Sequence, residues 1–214
     1  LGTGYAYADI SGKLMKPGDM SNDIKSFKVI ECTDHQPGAD GRCVYCEEKC
    51  VAEVTVGETV TKYIDLNKAF EAAKANEGCT VKLLDNITGG ASSGGSLTLD
   101  LNGKTVDKIE ITDGALTVSG SGNINALNIK NGALSVSDNG VKIGALTAAE
   151  NGKAALTAGT FGSISVSEGR SVTELLAPEH SYRIGDGWAS IEQREAGSIT
   201  GDITVAKTPI TGLT

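Results

Sequence analysis

Four of the five cysteines and one of the two histidines of this 214-residue chain fall in one short stretch, "CTDHQPGADGRCVYCEEKC", from Cys32 to Cys50. Thiolate and imidazole are the ligands that Zn²⁺ favours. The pairs Cys32-x2-His35 and Cys43-x2-Cys46 are spaced as two knuckles able to set four such ligands tetrahedrally around one ion. Gly38 and Gly41 lie in the loop between them and permit the tight turns this needs. Four protein ligands leave no open position for substrate, so the expected cofactor is a structural zinc held by Cys32, His35, Cys43 and Cys46. Disulfides are the rival chemistry, but five cysteines cannot all pair within one chain, and a histidine in one knuckle favours metal. Cys50 and Cys79 remain once three thiolates are taken; these two could pair and staple the box to the segment that follows. A cysteine nucleophile would need a low-pKa thiolate beside a histidine and an orienting group. The second histidine, His180, lies far along the chain in a C-terminal strand and is expected at the surface.

The elements that must position this box follow it directly. "VAEVTVGETVTKYI", residues 51–64, alternates β-branched and polar residues around Gly57 and predicts a β-hairpin. One helix is predicted in "DLNKAFEAAKANEG". Asp65 is a good N-cap, Leu66, Ala69, Phe70 and Ala73 form an apolar stripe at i, i+3, i+4 and i+7, and Gly78 can end the helix in the left-handed conformation. "CTVKLLDNIT" then predicts a buried strand at Val81–Leu84.

From about Leu97 the sequence becomes self-similar. "IEITDGALTVSG", "LNIKNGALSVSD" and "AAENGKAALTAG" each place short alternating strands around a corner, at Asp113-Gly114, Asn131-Gly132 and Asn151-Gly152. Their spacing of about 18 to 20 residues is that of a solenoid. Asn102-Gly103 adds a further corner with looser spacing. Leu116, Val118, Leu127, Ile129, Leu134 and Val136, with Leu146 and Leu156, are the inward residues expected to stack from coil to coil. An antiparallel sandwich is the alternative, because Asn-Gly is also a hairpin signal. The even spacing and the 4% aromatic content favour the solenoid. The fold class predicted is all-β: a right-handed parallel β-helix over about residues 80–175, capped at its N-terminal end by the single helix and preceded by the small Cys/His box.

The net charge of -8 argues against nucleic acid or an anionic membrane surface as partner. No apolar run has the length of a membrane span. The opening "LGTGYAYADI" lacks the basic segment and hydrophobic core of a signal peptide, as an excised piece of a larger protein would.

In order, "CTDHQPGADGRCVYC", "VAEVTVGETVTKYIDLNKAFEAAKANEGCTVKLLDNIT" and "LTLDLNGKTV" resemble β-helix repeat modules of large cell-surface proteins of gut Firmicutes. In that family a Cys/His box, a hairpin and a helix precede a right-handed β-helix that ends in a Tyr-rich strand and a Gly-Trp turn, here "LLAPEHSYRIGDGW". The resemblance covers most of residues 32–190. It implies an extracellular, cell-wall-associated chain of several modules, monomeric within that chain, with surface glycans or proteins of a host or neighbouring cell as partners.

The division expected is residues 1–31 as the tail of a preceding module or linker strands, 32–64 as box and hairpin, 65–190 as the helix-capped β-helix, and 191–214 as C-terminal strands or a linker. An internal comparison supports tandem modules: "LGTGYAYADISGKL" sits beside "LAPEHSYRIGDGWA", matching Leu1 with Leu176, Tyr7 with Tyr182 and Gly12 with Gly187. Further on, Asp23-Ile24 falls beside Asp202-Ile203.

Many β-helices cleave polysaccharides, with convergent carboxylates or acid-held calcium and a base. Here Asp100, Asp107, Glu110, Asp113, Asp138 and Glu150 are scattered and sit mostly at corners, where Asp is a turn residue. No catalytic residue is therefore assigned. The chain is expected to be a non-catalytic structural or adhesive module, with a carbohydrate-binding or carbohydrate-degrading β-helix as the alternative. That alternative would need aromatic platforms, for which Phe161, Tyr182 and Trp188 are the candidates; Trp188 is expected to pack on the final coil instead.

Overall fold

The computed structural model describes residues 1–20, 26–33, 35–76 and 78–193. Residues 194–214, most of the segment expected to form C-terminal strands or a linker, lie outside it, as do Asp23, Ile24, Asp202 and Ile203.

The chain opens with a small antiparallel sheet of β1 (Tyr5–Ala8), β2 (Leu14–Met15) and β3 (Lys28–Glu31), in the order β2-β1-β3. Ala6 and Ala8 on its inner face are fully buried. After the box come β4 (Ala52–Val56) and β5 (Thr59–Tyr63), the expected hairpin, turning at Gly57 with φ +59°.

Helix α1 (Leu66–Lys74) begins where its cap predicts. One carboxylate oxygen of Asp65 accepts from the Asn67 N–H at 2.7 Å and the Lys68 N–H at 3.2 Å. Its buried residues are Leu66, Ala69, Phe70 and Ala73, the stripe read from the sequence. Gly78 takes φ +77° as expected, a few residues beyond the C-cap Ala75.

The β-helix follows. Its straights are, in chain order, β6 (Thr80–Leu83), β7 (Ile87–Gly94), β8 (Leu97–Asp100), β9 (Thr105–Asp113), β10 (Ala115–Ser119), β11 (Gly122–Val136), β12 (Val141–Leu156) and β13 (Thr160–Val166). They stack in parallel register to make about five turns. β11 and β12 run unbroken through their corners, so Asn131 lies beside Asn151 and Gly132 beside Gly152. All eight residues named above as inward are buried. Asn102-Gly103, with its looser spacing, belongs to a different corner of the coil: the Gly103 N–H donates to the Ser121 carbonyl of the next turn.

Glycine at two places is required by close stacking. A Cβ on Gly132 (φ +94°) would stand 2.4 Å from the Gly114 carbonyl oxygen. Gly144, inside a strand with ordinary φ, would bring a Cβ to 2.5 Å from the Asn125 oxygen. Residues this close belong only where one backbone lies on the next.

Both ends of the stack are closed. At the first, α1 lies on β7, where the Ser92 N–H donates to Asn67 Oδ1 at 2.9 Å, and Phe70 is only 2% exposed. The helix does not act alone, because β4 pairs antiparallel with β6 and so extends the first coil's sheet. At the other end, β14 (His180–Gly185) and β15 (Trp188–Gln193) form a hairpin turning at Asp186-Gly187, and β15 pairs antiparallel with β13. Tyr182 lies in β14, and Gly187-Trp188 make the turn into β15. Arg170 secures the same end: its Nη1 donates to the Ala149 and Gly152 carbonyls at 2.5 and 2.7 Å, across the Asn151-Gly152 corner.

Candidate metal centre

The box is made of two tight turns held face to face. The Val44 N–H donates to the Gln36 carbonyl and the Gly38 N–H to that of Arg42, tying the first knuckle to the second. Gly41 takes φ +78°, which is the turn freedom expected of it. In the second knuckle the Glu47 N–H closes on the Cys43 carbonyl, with Glu47 itself at φ +60°. A left-handed Glu carries no sequence signal. Arg42 Nη1 stabilises the turn by donating to the Glu47 carbonyl at 3.0 Å.

These turns bring all four predicted residues together. One ligand atom each from Cys32, His35, Cys43 and Cys46 lies within 4.8 Å of all the others, and all four residues are buried. Cys32 Sγ is 3.7 Å from Cys43 Sγ, and Cys46 Sγ is 3.6 Å from His35 Nδ1. A disulfide needs about 2.05 Å between sulfurs. Three thiols and an imidazole in this arrangement can hold a metal ion.

The thiols differ in how readily they ionise. Burial, reinforced by the neighbouring Cys43, pushes Cys32 far up. Burial also opposes ionisation of Cys43, but the Cys46 and Tyr45 N–H groups directed at its sulfur outweigh it and hold Cys43 below the ordinary thiol value. Cys46 is raised, chiefly by burial. Cys43 is therefore the first of the three to ionise, and a cation is what would allow the others to ionise beside it.

The centre sits at a junction. Cys32 directly follows β3, and its N–H donates to the Gly4 carbonyl at 2.7 Å, joining the box to the small sheet. Lys49 pairs with Asp85 at 2.5 Å, joining it to the chain just after β6. Between the box and the small sheet an open cleft of about 330 Å³ is lined by Tyr7, Pro17, Arg42, Cys46 and Glu47, so Cys46 is the ligand nearest solvent.

The suggested pairing of Cys50 with Cys79 is overturned. Cys50 packs with Cys32, Cys43 and Cys46, whereas Cys79 belongs to the β-helix core. The β4–β6 register, Ala52 beside Leu83 and Thr55 beside Thr80, puts the two cysteines at opposite ends of that strand pair. At about 3.3 Å per residue they are roughly 20 Å apart.

The other singled-out residues have structural partners. Asp107 accepts from the Gly89 N–H and from Asn125 Nδ2, both at 3.0 Å. Asp138 accepts from the Gly120 and Gly140 N–H groups, Asp100 from that of Asn102, and Asp113 from that of Gly114. Glu110 pairs with Lys130. Glu150 offers its backbone carbonyl to Arg170. Phe161 is fully buried, and Tyr182 packs partly against the core opposite Ile191. Trp188 lies beside Gly162 on the last turn and keeps 38% of its surface exposed. His180 is half-buried, with Nδ1 2.8 Å from the Pro178 carbonyl.

No family model, curated protein or solved structure matches this chain.

Proposed function

We propose that the chain is a non-catalytic structural or adhesive module of a bacterial cell-surface protein, and that its Cys/His box holds one structural zinc ion. The zinc reading rests on the edges of the ligand set. Zn–S bonds of about 2.3 Å and Zn–N bonds of about 2.05 Å require tetrahedron edges of about 3.75 Å between sulfurs and about 3.55 Å between sulfur and nitrogen. Two of the six edges, Cys32 Sγ to Cys43 Sγ and Cys46 Sγ to His35 Nδ1, are 3.7 and 3.6 Å, and all lie within 4.8 Å. A set of three thiolates and one imidazole also suits zinc over the oxygen-seeking Mg²⁺ and Ca²⁺.

The role follows from the place. The box segment has few apolar residues to form a core of its own, so the ion supplies the cross-link that orders it. Through the Gly4 and Asp85 contacts, that cross-link fixes the small sheet relative to the capped end of the β-helix. Extracellular, wall-associated placement with surface glycans or proteins as partners is supported by the family resemblance. The use of the corner carboxylates as turn acceptors supports a non-catalytic reading.

Two experiments test this. Stripping the metal with a chelator should accelerate amide exchange across residues 26–50 while leaving β8 to β12 protected; unchanged exchange in the box would refute a bracing role. Incubation with plant and host polysaccharides should release no reducing or unsaturated sugar. Release that is lost on changing one of the named carboxylates would establish the enzymatic alternative.

A further inference from the structure

The two halves of the internal sequence match adopt the same element, in different surroundings. β14 and β15 form an antiparallel hairpin with a left-handed Gly187, φ +83°. The matching residues, β1 and β2, also form an antiparallel hairpin, with Gly12 in its turn at φ +93°. In the C-terminal hairpin, one edge of β15 pairs with β13, and the face bearing Tyr182 and Ile191 covers the last coil. Among the described residues nothing pairs with the outer edge of β2, and on the face matching that of Tyr182 only Glu31 is engaged, by Lys68 of α1. β2 is the edge strand of its sheet. The face that bears Tyr7, the match of Tyr182, is the more exposed one, although Tyr7 itself is half-buried and also lines the cleft beside Cys46. Tyr7 pairs there with Met15 and Val29, Tyr5 pairs with Glu31, and the Phe27 ring meets Tyr7 edge-on at 5.1 Å. Tyr5, Phe27 and Val29 are 46, 48 and 51% exposed, so this face presents three large apolar side chains to solvent.

We infer that this face and the free edge of β2 are the seat for the last coil of a second β-helix of the same kind, so that β1–β2 closes a neighbouring helix as β14–β15 closes this one. The inference rests on the multi-module reading above. The occupant is specified by chemistry already present in the chain: a β13-like strand with unpaired backbone groups to meet β2, and an open coil end of Leu, Val and Ala to meet the aromatic face. The metal box, on the sheet's other face through Ala6, would then hold successive β-helices in one relative orientation.

The test is a tandem chain in which residues 1–175 run directly into a complete second copy, Leu1 of that copy taking the place of Leu176. The first β-helix then has no hairpin except β1–β2 of the second copy. Nitration of tyrosine, located by mass spectrometry, is the readout. Tyr5 of the second copy should react at least tenfold more slowly than Tyr5 of the single chain, and Val29→Glu in the second copy should abolish that protection while leaving the single chain's melting temperature unchanged. A control that keeps residues 1–193 and a flexible linker ahead of the second copy should leave Tyr5 fully reactive. A reactive Tyr5 in the tandem chain, or a first β-helix that fails to fold, would overturn the inference, since in both cases β1–β2 has not replaced β14–β15. Metal content of the two boxes is measured in the same samples and is independent of either outcome, so loss of this inference is distinguishable from loss of the zinc reading.

Discussion

At the scale of single residues, stacking imposes requirements that a sequence states only in part. The Asn-Gly corners were legible because Gly at a recurring corner announces a turn. Gly144 was not, since nothing marks it apart from its place against Asn125 of the preceding coil. Gly144→Ala should cost about 1–3 kcal/mol, because the backbone must shift to admit the methyl group. Gly185→Ala meets nothing within 4 Å and has no left-handed φ, so it should change stability by less than about 0.5 kcal/mol. Equal effects in denaturant titrations of the two variants would contradict the stacking account. The box was legible at the same scale, because four ligand types at knuckle spacing are a local signal. The Cys50–Cys79 suggestion failed because no local signal reports which end of β4 faces which end of β6.

At the scale of elements, the helix was the clearest reading, with its cap and stripe encoded within one stretch, although it ends at Lys74, ahead of the expected stop at Gly78. Phe70→Ala should destabilise the protein by about 3–5 kcal/mol, as expected for a fully buried aromatic. Asp65→Ala should cost about 1 kcal/mol through the loss of the cap. A Phe70→Ala cost below that of Asp65→Ala in the same denaturant series would sink the capping role. The hairpin was legible as a hairpin, but its membership of the β-helix sheet was not. Antiparallel pairing of β4 with β6 depends on register between strands separated by the whole helix, and each strand's alternation is compatible with several partners. The N-terminal sheet was legible only as a tail or linker strands, for the same reason.

At the scale of the whole molecule, three ties hold the small sheet and box to their neighbours: the Lys49–Asp85 pair, the Lys68–Glu31 pair and the proposed metal set. They should fail at different acidities. Protons compete with a metal for thiolate and imidazole, so stability supplied by the proposed ion should be present at neutral pH and lost on acidification. Asp85 is held below the usual carboxylate value, first by its hydrogen bond from Lys49. A depressed carboxylate contributes stability above its unfolded value of about 3.9 and loses it as pH falls through the lowered folded value. Acid titration followed by amide exchange should therefore loosen the knuckles first and the Lys49–Asp85 contact only in strong acid. The exposed pair contributes about 0–1 kcal/mol, so the first step should dominate. Loosening of the Lys49–Asp85 contact ahead of the knuckles would contradict the proposed metal's role.

The central claim is that the box is a closed zinc centre, and native mass spectrometry of the chain purified without chelator tests it most directly. The account predicts a mass increased by one zinc ion with its displaced protons subtracted, the same stoichiometry by elemental analysis, and complete loss of the ion in Cys43→Ser. A metal-free chain lighter by two hydrogens, with Cys32 or Cys46 in a disulfide on peptide mapping, would contradict it and make the box a covalent staple.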